Sequence, residues 1–389
     1  MSEKPIHARH MEKIQPFRVM ALLAEAKALE AKGKSIIHME VGEPDFETPQ
    51  TIIQAGIQAL KEGKTHYTPA VGDMQLREKV SQYYREHYHV DIDVKRILMT
   101  PGASGALQLA LSVLVNPGDQ VVLADPGYPC NRNFVYLLGG EPVTVDVTPE
   151  TGFQVTARQL PAVWSDSTRA LLLASPSNPT GTIIARNEMK AMIEYVHQQG
   201  GQVIVDEIYQ GLTYGHKAYT ALALTDDVFI INSFSKYFGM TGWRLGWMVA
   251  PEGFVDDLDK LAQNLYLAAS TPAQAAALSA FTPETLAILE ERRLIFQQRR
   301  DYLLPALQAL GFKVPVVPQG AFYIYADCSA LTDDSLEFCQ RALHEAGVAI
   351  TPGLDFGENN PQQYIRFAYT TDLPKLKEGI RRLGQMIKP

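Results

Sequence analysis

The chain has 389 residues, of which 46% are hydrophobic and 20% charged, so the composition predicts a folded protein with a sizeable core rather than a disordered one. The net charge of −8 argues against a basic surface for nucleic acid or for a membrane. Cys130, Cys328 and Cys339 are far apart and form no CxxC pair or Cys/His cluster. Since no long apolar run predicts a signal peptide or a membrane span, we expect a cytoplasmic protein that binds no metal, nucleic acid or membrane.

The first predicted element is a helix that begins near Phe17 and ends at Gly33, because its apolar residues recur at helical spacing. A short strand follows in SIIHMEV and leads into the loop GEPDFETP. Between residues 90 and 250, apolar runs alternate with helical stretches. These runs are RILMT, QVVLADP, RALLLASPSNP, GQVIVDE, DVFIINSFSK and LGWMVAP. Because they are continuously apolar, they predict strands buried on both faces, in a mostly parallel sheet sandwiched by helices.

The sequence pattern changes after the long helical stretch TLAILEERRLIFQQRRDYLLPALQAL. The segment GFKVPVVPQGAFYIYADC alternates and predicts antiparallel strands. A helix in SLEFCQRALHEAG and a strand in YIRFAYT follow. We therefore predict an α/β protein with a large domain over residues 46–290 and a smaller α+β domain built from residues 1–45 and 291–389.

Polar residues follow the predicted strands at the points where the strands end. Asn178 follows ALLLA, Asp206 follows VIV, and Ser233, Ser235 and Lys236 follow FIIN. In open α/β sheets, ligands bind beyond the carboxyl ends of the strands. Taken alone, the asparagine could be only a turn former and the aspartate only a solvated acid. A carboxylate at the end of a buried strand is costly without a positive partner, however, so together these residues indicate a site.

The stretch SFSK allows more than one chemistry. Its S-x-x-K spacing fits a serine acyl-transferase, but the companion motifs S-D-N and K-T-G are absent. Neither of the glycine-rich nucleotide loops occurs. A helix that opens at Ala103 and Ser104 offers backbone N–H groups to an anion, and the hydroxyls of Ser233 and Ser235 and the guanidinium of Arg244 would complete a site for one phosphate monoester.

Pyridoxal 5′-phosphate has the groups that these residues would bind. Its aldehyde requires a lysine, which Lys236 supplies, and its ring nitrogen requires a carboxylate, which Asp206 supplies. Asn178 and Tyr209 could donate hydrogen bonds to its phenolate oxygen. Tyr128, in DPGYP at another strand end, could stack on the ring.

On these residues the chain resembles the fold-type I pyridoxal-phosphate aminotransferases, the class I/II or aspartate and aromatic aminotransferase superfamily. The motifs that carry the resemblance follow the order of the family and cover nearly the whole chain: VGEPDF, HYTPAVGDMQLREKV, TPGASGALQLA, DPGYP, SPSNPTG, DEIYQGLTY, SFSKYFGMTGWRLGW and YIRFAY. The resemblance implies the transferase fold of this cofactor class. It also implies a ping-pong transfer of an amino group from an L-amino acid to a 2-oxo acid, through pyridoxamine phosphate, in amino-acid metabolism.

The resemblance also implies a role for single residues. Lys236 would be the Schiff-base lysine and the proton shuttle. Arg366 would grip the substrate α-carboxylate, with Asn178 and the backbone of Gly42 nearby. Tyr67 would reach the cofactor phosphate of a neighbouring subunit, which implies a homodimer with shared sites. The other implied cofactor contacts are Ala103, Ser104, Tyr128, Asp206, Tyr209, Ser233, Ser235 and Arg244.

The substrate and some rival functions stay open in the sequence. The loop GASGA lacks the lysine that one aspartate-specific branch carries there. Phe17 could meet an apolar substrate side chain and Arg18 an acidic one, or both could simply pack or face solvent. A carbon–sulfur β-lyase on sulfur amino acids, or a cyclopropane-forming synthase, would use the same lysine and aspartate. A transcription regulator with an aminotransferase-like domain would carry a basic helix-turn-helix segment ahead of VGEPDF, where we predict a helix of the domain itself.

Overall fold

The structure is a computed structural model and describes residues 7–388. Its helices are α1 Arg18–Ala31, α2 Gln50–Lys61, α3 Met74–Tyr88, α4 Gly102–Leu114, α5 Pro129–Leu137, α6 Leu160–Val163, α7 Arg186–Gln198, α8 Val255–Leu265, α9 Thr271–Ala277, α10 Pro283–Ala309, α11 Ser335–Arg341 and α12 Leu373–Ile387. Its strands are β1 Ile37–His38, β2 Ile97–Thr100, β3 Gln120–Asp125, β4 Glu141–Asp146, β5 Thr168–Ala174, β6 Gln202–Asp206, β7 Phe229–Ser233, β8 Gly246–Val249, β9 Tyr323–Asp327, β10 Val348–Ala349, β11 Thr351–Pro352 and β12 Tyr364–Ala368.

A seven-stranded sheet with the order β2-β8-β7-β6-β5-β3-β4 forms the centre of the fold. Its strands are parallel except β8, which is antiparallel to both β2 and β7. The six apolar runs between residues 90 and 250 are all strands of this sheet, so the prediction of a mostly parallel sheet is confirmed. The strand β4 was not predicted, because it lies at an edge, contains Pro142 and buries only one of its six residues.

The sheet is buried on both faces, as its apolar strands predict. Along β5, Leu171 and Leu173 pack into the core cluster on one face, whereas Ala170 and Leu172 pack into the cluster on the other. Successive side chains of a strand point to opposite faces, so a strand with helices on both sides must be apolar at every position. This arrangement leaves the strand ends as the places where polar residues can face a ligand.

The chain ends form a second region around a three-stranded antiparallel sheet with the order β11-β12-β9. The predicted strand in YIRFAYT is confirmed as β12. Of the alternating segment before it, only Tyr323–Asp327 forms a regular strand, because Pro315 and Pro318 cannot donate to a ladder. The predicted limit at residue 290 lies inside α10, and the division into two domains stays a prediction. None of the helices within residues 7–388 is long and apolar enough to cross a lipid bilayer.

Candidate active site

The carboxyl ends of β5, β6 and β7 open into a cavity of about 390 Å³. The sheet register places Asp206 beside Ala174 on one side and beside Ile231 on the other, so residues that follow these strands become neighbours. Every predicted site residue except Tyr67 lines this cavity: Gly42, Ala103, Ser104, Tyr128, Asn178, Asp206, Tyr209, Ser233, Ser235, Lys236, Arg244 and Arg366.

Lys236 follows β7, and its Nζ donates a hydrogen bond of 2.8 Å to the carbonyl oxygen of Gly42. Burial lowers the pKa of Lys236 to about 8. Glu43 opposes this shift, whereas the guanidinium groups of Arg244 and Arg366 add to it. An amine with this pKa is neutral in a useful fraction of molecules near neutral pH, and the neutral amine is the nucleophile that binds an aldehyde.

Asp206 is the last residue of β6, and only 7% of it is exposed. Burial raises the pKa of its carboxyl group to about 6, although the backbone N–H of Ile208, at 3.1 Å, and the positive charge of Lys236 lower it. A buried carboxylate of this kind is stabilised by a cation that arrives with the ligand. A protonated ring nitrogen is such a cation.

One end of the cavity is built to receive an anion. The helix α4 begins there without a side-chain cap, so the N–H groups of its first turn, which includes Ser104, are free to bind a ligand. Gly102 has a φ of +72°, and a Cβ at this position would lie 2.7 Å from Nη2 of Arg244. The hydroxyls of Ser233 and Ser235 lie 2.9 Å apart beside them. Two hydroxyls, a guanidinium and free backbone N–H groups suit a phosphate monoester.

Aromatic and amide groups line the middle of the cavity. The hydroxyl of Tyr209 lies 2.9 Å from the hydroxyl of Tyr323. The Oδ1 atom of Asn178 accepts a hydrogen bond from Arg366, so its amide nitrogen is the atom that can donate to a ligand. Tyr128, at the start of α5, also lines the cavity. Tyr323 was not predicted, because an aromatic residue in the alternating pattern GAFYIYAD indicates only packing.

Arg366 on β12 is 2% exposed and is already held in position. Its Nη1 donates to Oδ1 of Asn178 at 2.9 Å, and its Nη2 donates to the carbonyl oxygen of Glu40. Its guanidinium carbon lies 4.4 Å from the ring centroid of Tyr323 and 4.7 Å from that of Phe356. Both hydrogen bonds go to neutral oxygens, and the buried Nε has no partner within residues 7–388. A carboxylate ligand would therefore neutralise this buried cation.

Three residues of the loop after β1, Val41, Gly42 and Glu43, line the same cavity. A Cβ on Gly42 would lie 1.8 Å from the hydroxyl of Tyr323, so this position requires glycine. Glu43 lines the cavity and accepts a hydrogen bond of 2.6 Å from Oγ1 of Thr241. The sequence motif VGEPDF contains this glutamate, but no role was predicted for it.

The remaining predicted residues lie at the rim or outside the cavity. Phe17 lines the cavity, whereas Arg18 is exposed and is not part of the lining. Tyr67 is 81% exposed and lies outside it. Its predicted contact with a cofactor in a neighbouring subunit stays a prediction.

Three observations test whether these residues fit pyridoxal phosphate, and all three agree with it. A buried carboxylate needs a cation, an uncapped helix end beside Arg244 can receive a phosphate, and a lysine with a lowered pKa lines the same cavity. Lys236 would bind the aldehyde, Asp206 the ring nitrogen, and Asn178 and Tyr209 the phenolate oxygen. Within residues 7–388, no group of three or more His, Cys, Asp and Glu side chains is arranged to hold a metal ion.

Comparison with known proteins identifies relatives over the full length. The family described as Aminotransferase class I and II matches residues 34–383. The chain is 38% identical to a (5-formylfuran-3-yl)methyl phosphate transaminase of Methanocaldococcus jannaschii, with 98% of this chain and 99% of the relative covered. It is 34% identical to a valine–pyruvate aminotransferase of Mycobacterium tuberculosis, with 96% and 97% covered. An aspartate aminotransferase of Thermus thermophilus, solved with maleate, superposes with a TM-score of 0.93 at 30% identity, with 98% and 100% covered.

Proposed function

This chain belongs to the class I and II aminotransferases, and from that premise we propose the role of each residue in its site. It is a pyridoxal-phosphate-dependent aminotransferase, which moves an amino group between an amino acid and a 2-oxo acid. The carbon–sulfur lyase alternative is not favoured, because the relatives that match over the full length are named transaminases and aminotransferases.

The observation that carries the proposal is the setting of Lys236, a buried lysine with a pKa lowered to about 8 that lines one cavity together with Asp206. When bound, the cofactor supplies the aldehyde that takes up the amino group and the ring that withdraws electrons from the substrate α-carbon. The Nζ atom of Lys236 would hold the aldehyde. With the amino donor bound, the same atom would take the proton from the substrate α-carbon and later return it.

The other residues orient the reactants around this lysine. Asp206 would keep the ring nitrogen protonated, because a buried carboxylate is stabilised by a cation beside it. Asn178 and Tyr209 would donate to the phenolate oxygen. Arg366 binds the substrate carboxylate with a guanidinium group that two aromatic rings already fix. The substrate α-carbon is thereby held in one orientation during the proton transfer.

A single half-reaction tests the aminotransferase assignment. The purified protein loaded with pyridoxal phosphate is mixed with one amino acid at a time, without any oxo acid, and its visible spectrum is recorded. We expect the absorption band of the lysine-bound cofactor to disappear while the band of pyridoxamine phosphate grows. Persistence of the first band, with release of pyruvate and ammonia from sulfur amino acids, would instead identify a lyase.

We also propose that two copies of the chain form a homodimer in which Tyr67 serves the partner's site. Its 81% exposure and its position outside the cavity of its own chain support this role. The test is a hybrid of one Tyr67→Ala chain and one Lys236→Ala chain. If the sites are shared, the hybrid has one intact site and one doubly altered site, so it should regain about half of the activity of the unaltered dimer. A hybrid no more active than the mean of its two parents would contradict sharing.

We further propose that the protein works in the cytoplasm. The support is three cysteines that form no disulfide in the described part of the chain. Fractionation of cells that express the tagged chain tests this, and recovery outside the cytoplasmic fraction would contradict it.

A further inference from the structure

A buried glutamate is bonded through its backbone to the arginine that would bind the substrate carboxylate. Glu40, in the loop after β1, is 0% exposed. Its carbonyl oxygen accepts hydrogen bonds from Nη2 of Arg366 and, at 3.2 Å, from the hydroxyl of Thr351. Only the atoms of Glu40 itself therefore connect its carboxylate to the guanidinium group. Because the region is buried, a change of charge at this carboxylate acts on Arg366 with little screening by water.

The carboxylate of Glu40 has one cationic partner within residues 7–388, which is His38. Nδ1 of His38 lies 2.7 Å from Oε1 of Glu40, and the ring nitrogen is the donor because an ionised carboxylate can only accept. Oε2 of Glu40 is buried and has no partner in this part of the chain. The protonation state of His38 therefore decides whether the His38–Glu40 pair is neutral or negative.

His38 is placed so that it can gain and lose a proton near neutral pH. Its side chain is 31% exposed, and its Nε2 lies 3.3 Å from Oε1 of Glu30 on α1. The hydrogen bond to Glu40 raises the pKa of His38 above its ordinary value of 6.5, burial opposes this rise, and Glu30 adds to it. The charged ring donates from both nitrogens to the two carboxylates, whereas the neutral ring can donate from only one.

The other elements packed against β1 bring no further salt bridge to His38 in the described part of the chain. The strand β10 pairs with β1 through two apolar residues. On α12, Arg382 is bonded to Glu378 and to Ser35, and not to the imidazole ring. The charge of the ring is therefore set mainly by the two glutamates that contact it.

We propose that His38 and Glu40 are positioning residues that link the binding of the substrate carboxylate to pH. With His38 protonated, the pair next to Arg366 is neutral and a carboxylate binds strongly. With His38 neutral, the pair is negative and repels the ligand, so binding weakens as the pH rises through the pKa of His38. The coupling is reciprocal, so a bound carboxylate stabilises the protonated ring. This inference rests on the proposed function, which assigns the substrate carboxylate to Arg366.

The first experiment measures carboxylate affinity against pH on the enzyme loaded with pyridoxal phosphate. Propanoate, which is alanine without its amine, is titrated at constant ionic strength between about pH 5.5 and about pH 8.5 through the visible band of the cofactor. The reference is His38→Gln, whose amide keeps a hydrogen bond to Glu40 but has no proton to lose. The ratio of the two dissociation constants cancels the titration of Lys236 and of the cofactor, which both proteins share.

We expect the parent to bind propanoate about three- to fivefold more tightly than His38→Gln at the acidic end, and equally at the alkaline end. A ratio that stays constant over this range would overturn the inference, because a merely structural role of His38 affects affinity at every pH alike. The resonance of the ring Cε1–H, assigned by its absence from His38→Gln, gives a second readout. It should titrate at higher pH with propanoate bound, and an unmoved midpoint would contradict the coupling.

Three further variants separate the pair from its surroundings. Glu40→Gln removes the buried charge, so its affinity should no longer depend on the protonation of His38. Glu30→Gln should keep the size of the change but move its midpoint to lower pH, since Glu30 helps to raise the pKa of His38. The matched control is His344→Gln, which removes a similar ion pair with Glu25 of α1, at 2.9 Å. Its pH dependence should be that of the parent, and a change equal to that of His38→Gln would overturn the assignment.

The half-reaction with alanine distinguishes failure of this inference from failure of the proposed function. In His38→Gln at acidic pH, the apparent dissociation constant of alanine should rise while the limiting rate stays the same, because no group that moves a proton has changed. If no amino acid reacts but propanoate binds as expected, the aminotransferase function fails and the pH link stands. If amino acids react but propanoate binds at no pH, the function stands and the inference is overturned.

Discussion

The cavity lies between two walls that are held by different kinds of contact. The sheet wall consists of Asn178, Asp206, Ser233, Ser235 and Lys236, which follow neighbouring parallel strands. The terminal wall consists of Phe17, Val19 and Met20 from α1, Gly42 and Glu43 from the loop after β1, and Tyr323 and Arg366 from the small sheet. Backbone register fixes the strand ends from which the sheet wall extends, because Asp206 pairs with Ala174 on one side and with Ile231 on the other. Side-chain contacts between distant segments fix the terminal wall, such as Asp355 with Val19, 336 residues apart in sequence.

The proposed roles of the two walls differ in the same way: one serves the chemistry that all substrates share, and the other distinguishes between substrates. In the proposed function, the sheet wall would hold the cofactor and move the proton, which every amino donor needs, so changes there should weaken all donors equally. In the proposed function, Arg366 of the terminal wall would bind the substrate carboxylate, so changes there should affect substrate binding more than the chemical step. The following predictions test this division, beginning with the largest effect.

Lys236→Ala should abolish turnover with every donor, because it removes both the group that binds the aldehyde and the group that moves the proton. We expect a loss of about 10⁴-fold or more in kcat, measured in single-turnover reactions with alanine and phenylalanine. The variant should remain folded, since a buried lysine with a lowered pKa does not stabilise the chain. Turnover within tenfold of the parent would remove Lys236 from the centre of the mechanism.

Asp206→Asn should lower kcat about 10³-fold for all donors, because an amide cannot hold the proton on the ring nitrogen. It should also change the stability of the cofactor-free chain. Since the folded pKa of Asp206 is raised to about 6 from 3.8, its stabilising contribution is complete below pH 3.8 and is lost as pH rises through 6.

The cofactor-free Asp206→Asn variant should therefore melt at a higher temperature than the parent at pH 8, and this difference should shrink as the pH falls towards 5. Thermal denaturation followed by circular dichroism measures it. If the difference in melting temperature instead grew as the pH fell, the aspartate would be stabilised by a cation that the described residues do not provide.

Arg366→Ala should lower kcat/KM about 10²-fold or more for every donor, mainly through KM, since it removes the proposed partner of the α-carboxylate. Arg366→Lys is the matched variant, because it retains the charge without the planar fork that lies between Tyr323 and Phe356. We expect steady-state kinetics to place it between the alanine variant and the parent. If Arg366→Lys had the same kcat/KM as the parent, a positive charge alone would suffice to bind the substrate carboxylate.

The smallest expected effect is on the pH dependence of cofactor binding. It involves both walls, because Lys236 belongs to the sheet wall and Glu43 to the terminal wall. The rate at which the cofactor-free chain binds pyridoxal phosphate should rise with pH and level off above about 8, where Lys236 loses its proton. Because Glu43 raises this pKa, Glu43→Gln should move the midpoint to lower pH. Absorbance in stopped flow measures both rates, with N-acetyl-lysine as a reference for titration of the cofactor itself. A midpoint that does not move would mean that Glu43 is too well solvated to influence Lys236.

The sequence predicted the sheet wall better than the terminal wall. Asp206 and Lys236 were predicted from their place after buried apolar runs, and the family motifs added Arg366 and Gly42. Tyr323 was missed, because its aromatic side chain fits the alternating pattern of a strand and gives no sign that its hydroxyl faces a cavity. The contact of Asp355 with α1 was missed as well, since no local pattern relates a carboxylate near one chain end to a helix near the other.

The sequence alone therefore determined the parallel sheet, the residues at its strand ends and the identity of the cofactor. Apolar periodicity and strand order encode these features within short segments, so they can be derived without knowing the rest of the fold. Only the tertiary structure decided that Phe17 and not Arg18 lines the cavity, and that the pKa of Lys236 is lowered to about 8. Burial and the field of charges depend on atoms from all the segments that pack around a group, and those segments are brought together only when the chain folds.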